Sequence, residues 1–232
     1  MLKKITFLFL LSIAFNINAE QISTEKKVAT PVAKEAKAPL KETIKLSESQ
    51  RQLEAFLSQA QSISARFKQK LVDQYGYTLQ ESAGTLRMQR PGKFHWDYVL
   101  PYPQSIISNG KKIWMYDSEL EQVNVRAYDQ VLASSPVNLL DKNQNLNVEF
   151  NVQTMPFADQ QYWLKLLPKN SESDFKEMLV GLLDGKIKTM RFIDNFNQTT
   201  QIEFEQLVVN PQFAKSQFEF VAPQGTDVLG DF

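Results

Sequence analysis

The chain has 232 residues, 26 Lys and Arg against 26 Asp and Glu, one histidine and no cysteine. Balanced charge gives no electrostatic case for nucleic acid or an anionic membrane surface. The missing thiols exclude disulfide staples and a lipid anchor attached through cysteine, and a lone histidine argues against zinc or a nucleophilic triad.

Residues 1–19 read as an export signal. Lys3 and Lys4 form the positive end, Ile5 to Ile17 an apolar run, and Ala19 the small residue before cleavage. That run falls short of the roughly 20 residues that cross a bilayer. Removal of Lys3 and Lys4 leaves 24 basic residues against 26 acidic, still near neutrality. Residues 20–46 follow, built from Lys, Glu, Ala, Thr and Pro. Such a segment buries too little apolar surface to offset its ordering entropy, so a disordered tether is expected.

A single folded domain is expected over 47–232. Ser47 and Gln50 fit a capping box, and Leu53, Phe56, Leu57 and Ala60 follow at helical spacing, predicting a helix over 48–61. From Ser64 the period changes to two. Strands are predicted within 64–74, 84–89, 94–98, 105–108, 113–116, 122–126, 150–152, 162–167, 175–182, 186–193 and 199–209, with a last one at 218–221. Asn109-Gly110 and Asp184-Gly185 are hairpin turns. One segment breaks the alternation: Ser135-Pro136 reads as an N-cap with proline at the first helical position, leading into Val137, Leu139 and Leu140. Consecutive antiparallel strands without βαβ units imply a curled meander. The predicted fold is mainly β with α: an unclosed antiparallel half-barrel of about 10–11 strands covered by a lid of short helices.

The chemistry of catalysis is missing. His95 alternates outward from Phe94 and Trp96, no glycine-rich loop follows a strand to cradle phosphate, and Glu203 and Glu205 fit solvated strand alternation. No enzyme, metal or cofactor is expected. Stacked aromatic strands could serve an oligonucleotide-binding barrel, but that surface needs a basic groove. The large apolar residues on the inner face fit either a filled core or a hollow one. Arg90 favours the second. Parity along Leu86, Met88 and Arg90 sends it to the apolar side, where an unpaired charge is costly. The unsatisfied carbonyls at a helix C-terminus are natural acceptors, which makes Arg90 a latch between strand and lid.

The motifs stand in a definite order. Arg66-Phe67-Lys68-Gln69-Lys70 precedes Gly84-x-Leu86 and Arg90-Pro91-x-x-Phe94-x-Trp96. Ser108-Asn109-Gly110-Lys111, Ile113-Trp114-Met115-Tyr116 and Ser135-Pro136 with Asn143 come next, and Phe218-x-Phe220-x-x-Pro223-x-Gly225-x-Asp227 ends the series. Over about 47–229 this ordered set resembles the LolA family, periplasmic carriers of outer-membrane lipoproteins. The resemblance implies an apolar cavity under the lid, with Arg90 governing its opening and Pro136 and Val137 in the lid helix. Leu86, Met88, Phe94, Trp96, Ile107, Met115, Leu139 and Leu140 are expected to line the acyl cavity. It further implies a monomer in the periplasm, with lipoprotein acyl chains as cargo. An inner-membrane ATP-driven release complex would load it, and an outer-membrane receptor would unload it. The tether at 20–46 has no counterpart in the family pattern. A carrier of another amphiphile, such as a glycolipid, and a lipid- or lipoprotein-sensing regulator on the same fold are the alternatives. Such sensors append a second domain, for which this chain leaves no room. The cysteine-anchored acceptor of the same pathway is excluded by composition.

Overall fold

The computed structural model describes residues 47–128, 138–141 and 145–230, all within the unit Ser47–Phe232. The expected signal and tether, and the lid positions Ser135, Pro136, Val137 and Asn143, lie outside the described residues. Ser47 caps α1 (Glu48–Gln59), its Oγ accepting from the Gln50 N–H at 3.2 Å. Among the described residues only this half of the capping box forms; the Gln50 side chain turns forward, its Nε2 donating to Glu54. Leu53, Phe56 and Leu57 are buried along one face of the helix, as their spacing requires.

A twelve-stranded sheet follows: β1 Ser62–Val72, β2 Thr78–Gln89, β3 Lys93–Leu100, β4 Gln104–Asn109, β5 Lys112–Asp117 and β6 Gln122–Ala127, then β7 Phe150–Thr154, β8 Tyr162–Pro168, β9 Phe175–Leu183, β10 Lys186–Asp194, β11 Thr199–Val209 and β12 Asp227–Gly230. Between β6 and β7 lie α2 (Asn138–Asp141) and α3 (Leu146–Glu149). The strand order is β12-β6-β5-β4-β3-β2-β1-β11-β10-β9-β8-β7, antiparallel throughout except for the parallel β12–β6 pair. The sheet is unclosed. Its two end strands, β12 and β7, do not meet in that order.

Register fixes the two faces, because residues directly opposite on paired strands point the same way. Ala65, Leu86, Trp96, Ile106 and Met115 form one continuous cross-strand row. Phe67, Phe204 and Gly84 lie in the adjoining row. On the far side of the centre, Ile202, Met190, Val180 and Leu164 continue the same face. All but Met115 and Gly84 are counted among the buried apolar side chains. This is the inner face: Arg90 extends it beyond Met88 and bonds to both α1 and α2. Glycine is required at position 84, where a Cβ would stand 1.8 Å from the Asp97 carbonyl oxygen and 2.8 Å from the Phe67 ring.

The outer face of β3–β6 carries His95, Asp97, Ile107, Trp114, Tyr116, Val123 and Val125. Here the C-terminal segment departs from expectation. Residues 218–221 form no strand; instead Lys215–Phe218 is a 3₁₀ turn packed on β3 and β4, and β12 lies further on. The reason is geometric: β3 and β4 already have partners on both edges, so a segment crossing them has no free ladder to join. It is fastened by rings. Phe218 is buried and meets Phe213 edge-on at 5.5 Å, while Phe220 lies 5.3 Å from Tyr116 and 6.3 Å from Trp114. His95 does point outward, but this segment covers it: Nδ1 lies 3.0 Å from the Gln217 carbonyl oxygen and Nε2 lies 2.8 Å from Asp97.

Candidate functional site

Arg90 stands where β2 runs out. Its backbone N–H donates to the Gln61 carbonyl, fixing the strand end beside the start of β1. The guanidinium reaches two helices. Nε and Nη2 donate to the Leu140 carbonyl of α2 at 2.9 and 2.7 Å, and Nη1 donates to the Leu57 carbonyl in the last turn of α1. Helix-end carbonyls carry partial negative charge and lack partners of their own, so a planar cation with several donors suits them. Burial pulls the Arg90 pKa below its ordinary value, opposed by the nearby Asp141 carboxylate.

Asp141 is a second fastening that the sequence did not announce. Its Oδ1 accepts from the Gly92 backbone N–H at 2.7 Å, and its Oδ2 from the Tyr128 hydroxyl at 2.5 Å. Gly92 adopts φ 71°, and a Cβ there would sit 2.8 Å from the Gly110 Cα, so no larger residue fits the turn. Buried Ser108 knits the two turns together, donating to the Gly92 carbonyl and accepting from the Gly110 N–H. The end of α2 therefore rests on the β2–β3 turn. An acidic residue directly after Leu139-Leu140 was the available signal; its partners, Tyr128 and the distant Gly92, were not.

Of the residues expected to line a cavity, Leu86, Met88, Phe94, Trp96 and Met115 share the inner face by register. Leu139 and Leu140 are buried in α2, whose Leu140 carbonyl meets Arg90. Ile107 is a correction. It pairs with His95 and Trp114 on the outer face, and Ile106, opposite Trp96 and Met115, takes the inner position. Phe67 and Tyr98 also belong to the wall. Their rings close on Trp96, with centroids 5.0 Å apart for Phe67–Trp96, 5.1 Å for Phe67–Tyr98 and 6.5 Å for Trp96–Tyr98.

Polar groups on this wall are sparse. The Tyr98 hydroxyl donates to Gln69 Oε1 at 3.1 Å, and burial pushes its pKa strongly up despite that bond. Trp96 Nε1 is buried with no hydrogen-bond partner. Among the described residues, no cluster of His, Asp and Glu is placed to hold a metal ion, and no helix is long and apolar enough to cross a membrane. The arrangement offers apolar contact and a polar fastening.

The family model described as outer membrane lipoprotein carrier protein LolA matches residues 58–221. The outer-membrane lipoprotein carrier protein of Methylococcus capsulatus is 40% identical over 182 residues, which cover 78% of this chain and 88% of the relative. That of Methylobacillus flagellatus is 38% identical over 179 residues, covering 77% and 87%. A solved LolA superfamily protein of Nitrosomonas europaea aligns at 10% identity with a TM-score of 0.46, over 75% of this chain and 99% of that one. Since the match runs from the end of α1 to beyond Phe220, the chain belongs to the outer membrane lipoprotein carrier protein LolA family.

Proposed function

We propose that this protein carries lipoproteins across the periplasm, with their acyl chains held against the inner face of the sheet and Arg90 setting the balance between closed and open helices. Lipoprotein carriage is the role named for the family and for the curated relatives. The task has a clear energetic shape. Burial of a CH₂ is worth about 0.8 kcal/mol, so one sixteen-carbon chain free in water costs roughly 10 kcal/mol or more. A carrier must remove that penalty during transit and still release the cargo.

Arg90 carries this reading. It is a half-buried guanidinium at one end of an apolar wall, bonded to main-chain carbonyls of two separate helices. Such bonds hold the apolar surface shut without cargo, and they exchange for water when cargo parts the helices. Leu86, Met88, Phe94, Trp96, Ile106 and Met115 form the wall in this scheme. Bulky rings pack imperfectly around flexible chains, which tempers affinity. Release then requires a receptor held against the opening, because release into water restores the whole penalty. The chain supplies no nucleotide chemistry, so loading draws on an inner-membrane ATP-driven complex, and unloading goes to an outer-membrane receptor. The N-terminal export signal delivers the chain to that compartment as a monomer.

The test is recovery of the protein from its native periplasm, followed by mass spectrometry of what it holds. Acylated lipoproteins are expected; free glycolipid alone, or nothing, refutes the proposal. In parallel, Arg90→Leu is expected to shift the ratio of loaded to released cargo by at least about tenfold. Equal loading and equal release would remove Arg90 from the mechanism.

A further inference from the structure

Among the described residues, three buried side-chain polar atoms lack a hydrogen-bond partner: Gln52 Oε1, Gln161 Oε1 and Trp96 Nε1. The third differs in kind, being an N–H donor on the inner wall. Native interiors hold few unpaired buried donors, because each forfeits its bond to water without replacement. A buried indole N–H in particular is normally matched. Trp96 is only 3% exposed. Its surroundings do not supply the match: Leu86 and Ile106 stand opposite on the neighbouring strands, and Phe67 and Tyr98 pack their rings against it. The Tyr98 hydroxyl donates to Gln69, and its oxygen accepts no bond from the indole. A trapped water needs two to four polar partners, which a wall of this composition does not offer.

An acceptor that completes this donor must arrive from outside and bring apolar surface with it. It must also be neutral, since a charged acceptor would be desolvated among rings at high cost. A neutral carbonyl flanked by hydrocarbon meets every condition. We propose that the Trp96 indole N–H donates to the ester or amide carbonyl at the head of a bound acyl chain, so that the site selects acylated molecules over ether-linked or plain hydrocarbon chains of equal length. This rests on the reading that acyl chains occupy the inner face. It adds a register to that reading, because a single donor on an otherwise greasy wall fixes how far along the wall the head of the chain sits.

The experiment compares two phospholipids differing only in the carbonyl: dioctanoyl (ester) and dioctyl (ether) phosphatidylglycerol, titrated as monomers into the full protein. One neutral hydrogen bond corresponds to about a two- to tenfold preference for the ester. Trp96→Phe, which keeps a ring, is expected to bring the ratio to near one. A second reading uses the unmutated side chain: the ¹⁵N-labelled Trp96 indole resonance, assigned with Trp114→Phe and Trp163→Phe, should move downfield with the ester and not with the ether. If the protein binds both lipids equally and that resonance stays put, the Trp96 role is wrong while acyl-chain binding stands. If neither lipid binds, the acyl-chain reading itself fails and takes this inference with it.

Discussion

Arg90 ties two helices together with one side chain, because its planar fork spans carbonyls belonging to each. Arg90→Leu leaves the Leu57 and Leu140 carbonyls without that donor. In cargo-free protein the expected loss is about 1–3 kcal/mol by urea denaturation. Faster amide exchange in α1 and α2 should accompany it. Arg90→Lys should fall between the two, since an ammonium cannot present the same planar set of donors. Gly84 makes an opposite kind of demand, for empty space. Gly84→Ala drives a methyl group into the Asp97 carbonyl, and such overpacking costs about 1–3 kcal/mol, or more where the obstacle is backbone. A thermal melt is the check; an unchanged melting temperature would mean that β2 and β3 can part without penalty.

Among the elements, hairpins were the easiest to read from sequence, because their signals are local. Asp184 and Gly185 both take positive φ, at 51° and 69°, as a two-residue type I′ turn demands. The placement of the Arg90 side chain was legible for a similar reason: strand parity and the cost of burying charge are enough to predict it. Parity failed at Ser105-Ile106-Ile107-Ser108. Both isoleucines are buried, Ile106 on the inner face and Ile107 on the outer face, where the Lys215–Phe218 turn packs on β4. Hydrophobicity alone cannot orient a strand buried on both sides; only pairing with β3 does so. β12 was hidden too, because its four residues join β6 in parallel and carry no alternation of their own. The C-terminal segment depends on its rings, which gives another prediction. Phe218→Ala removes a side chain that is 1% exposed, a change worth about 3–5 kcal/mol when the whole fold must absorb it. If the segment instead peels away by itself, limited proteolysis should cut within 211–226 and leave the remaining sheet intact.

For the molecule as a whole, acid sensitivity should trace to the outer face. Burial pushes the Asp97 pKa up. Bonds from His95 and Ser105, together with the His95 and Arg87 charges, outweigh this and leave it below its ordinary value. A carboxylate whose folded pKa lies below its unfolded one stabilises the fold above the ordinary aspartate value. That contribution fades as pH falls through the depressed folded value. Urea midpoints measured from about pH 5 down to about pH 2 should therefore fall less steeply in Asp97→Asn than in the parent. Parallel curves would place acid sensitivity elsewhere.

The strand order has one more consequence. β1 and β11 lie side by side at the middle of the sheet, with Ile63 opposite Val209. The seam of the protein thus joins stretches made near the beginning and near the end of synthesis of the folded part. Until Val209 is available, the chain can be no more than two unjoined ribbons, each with a raw edge. Assembly of the whole sheet must therefore come late.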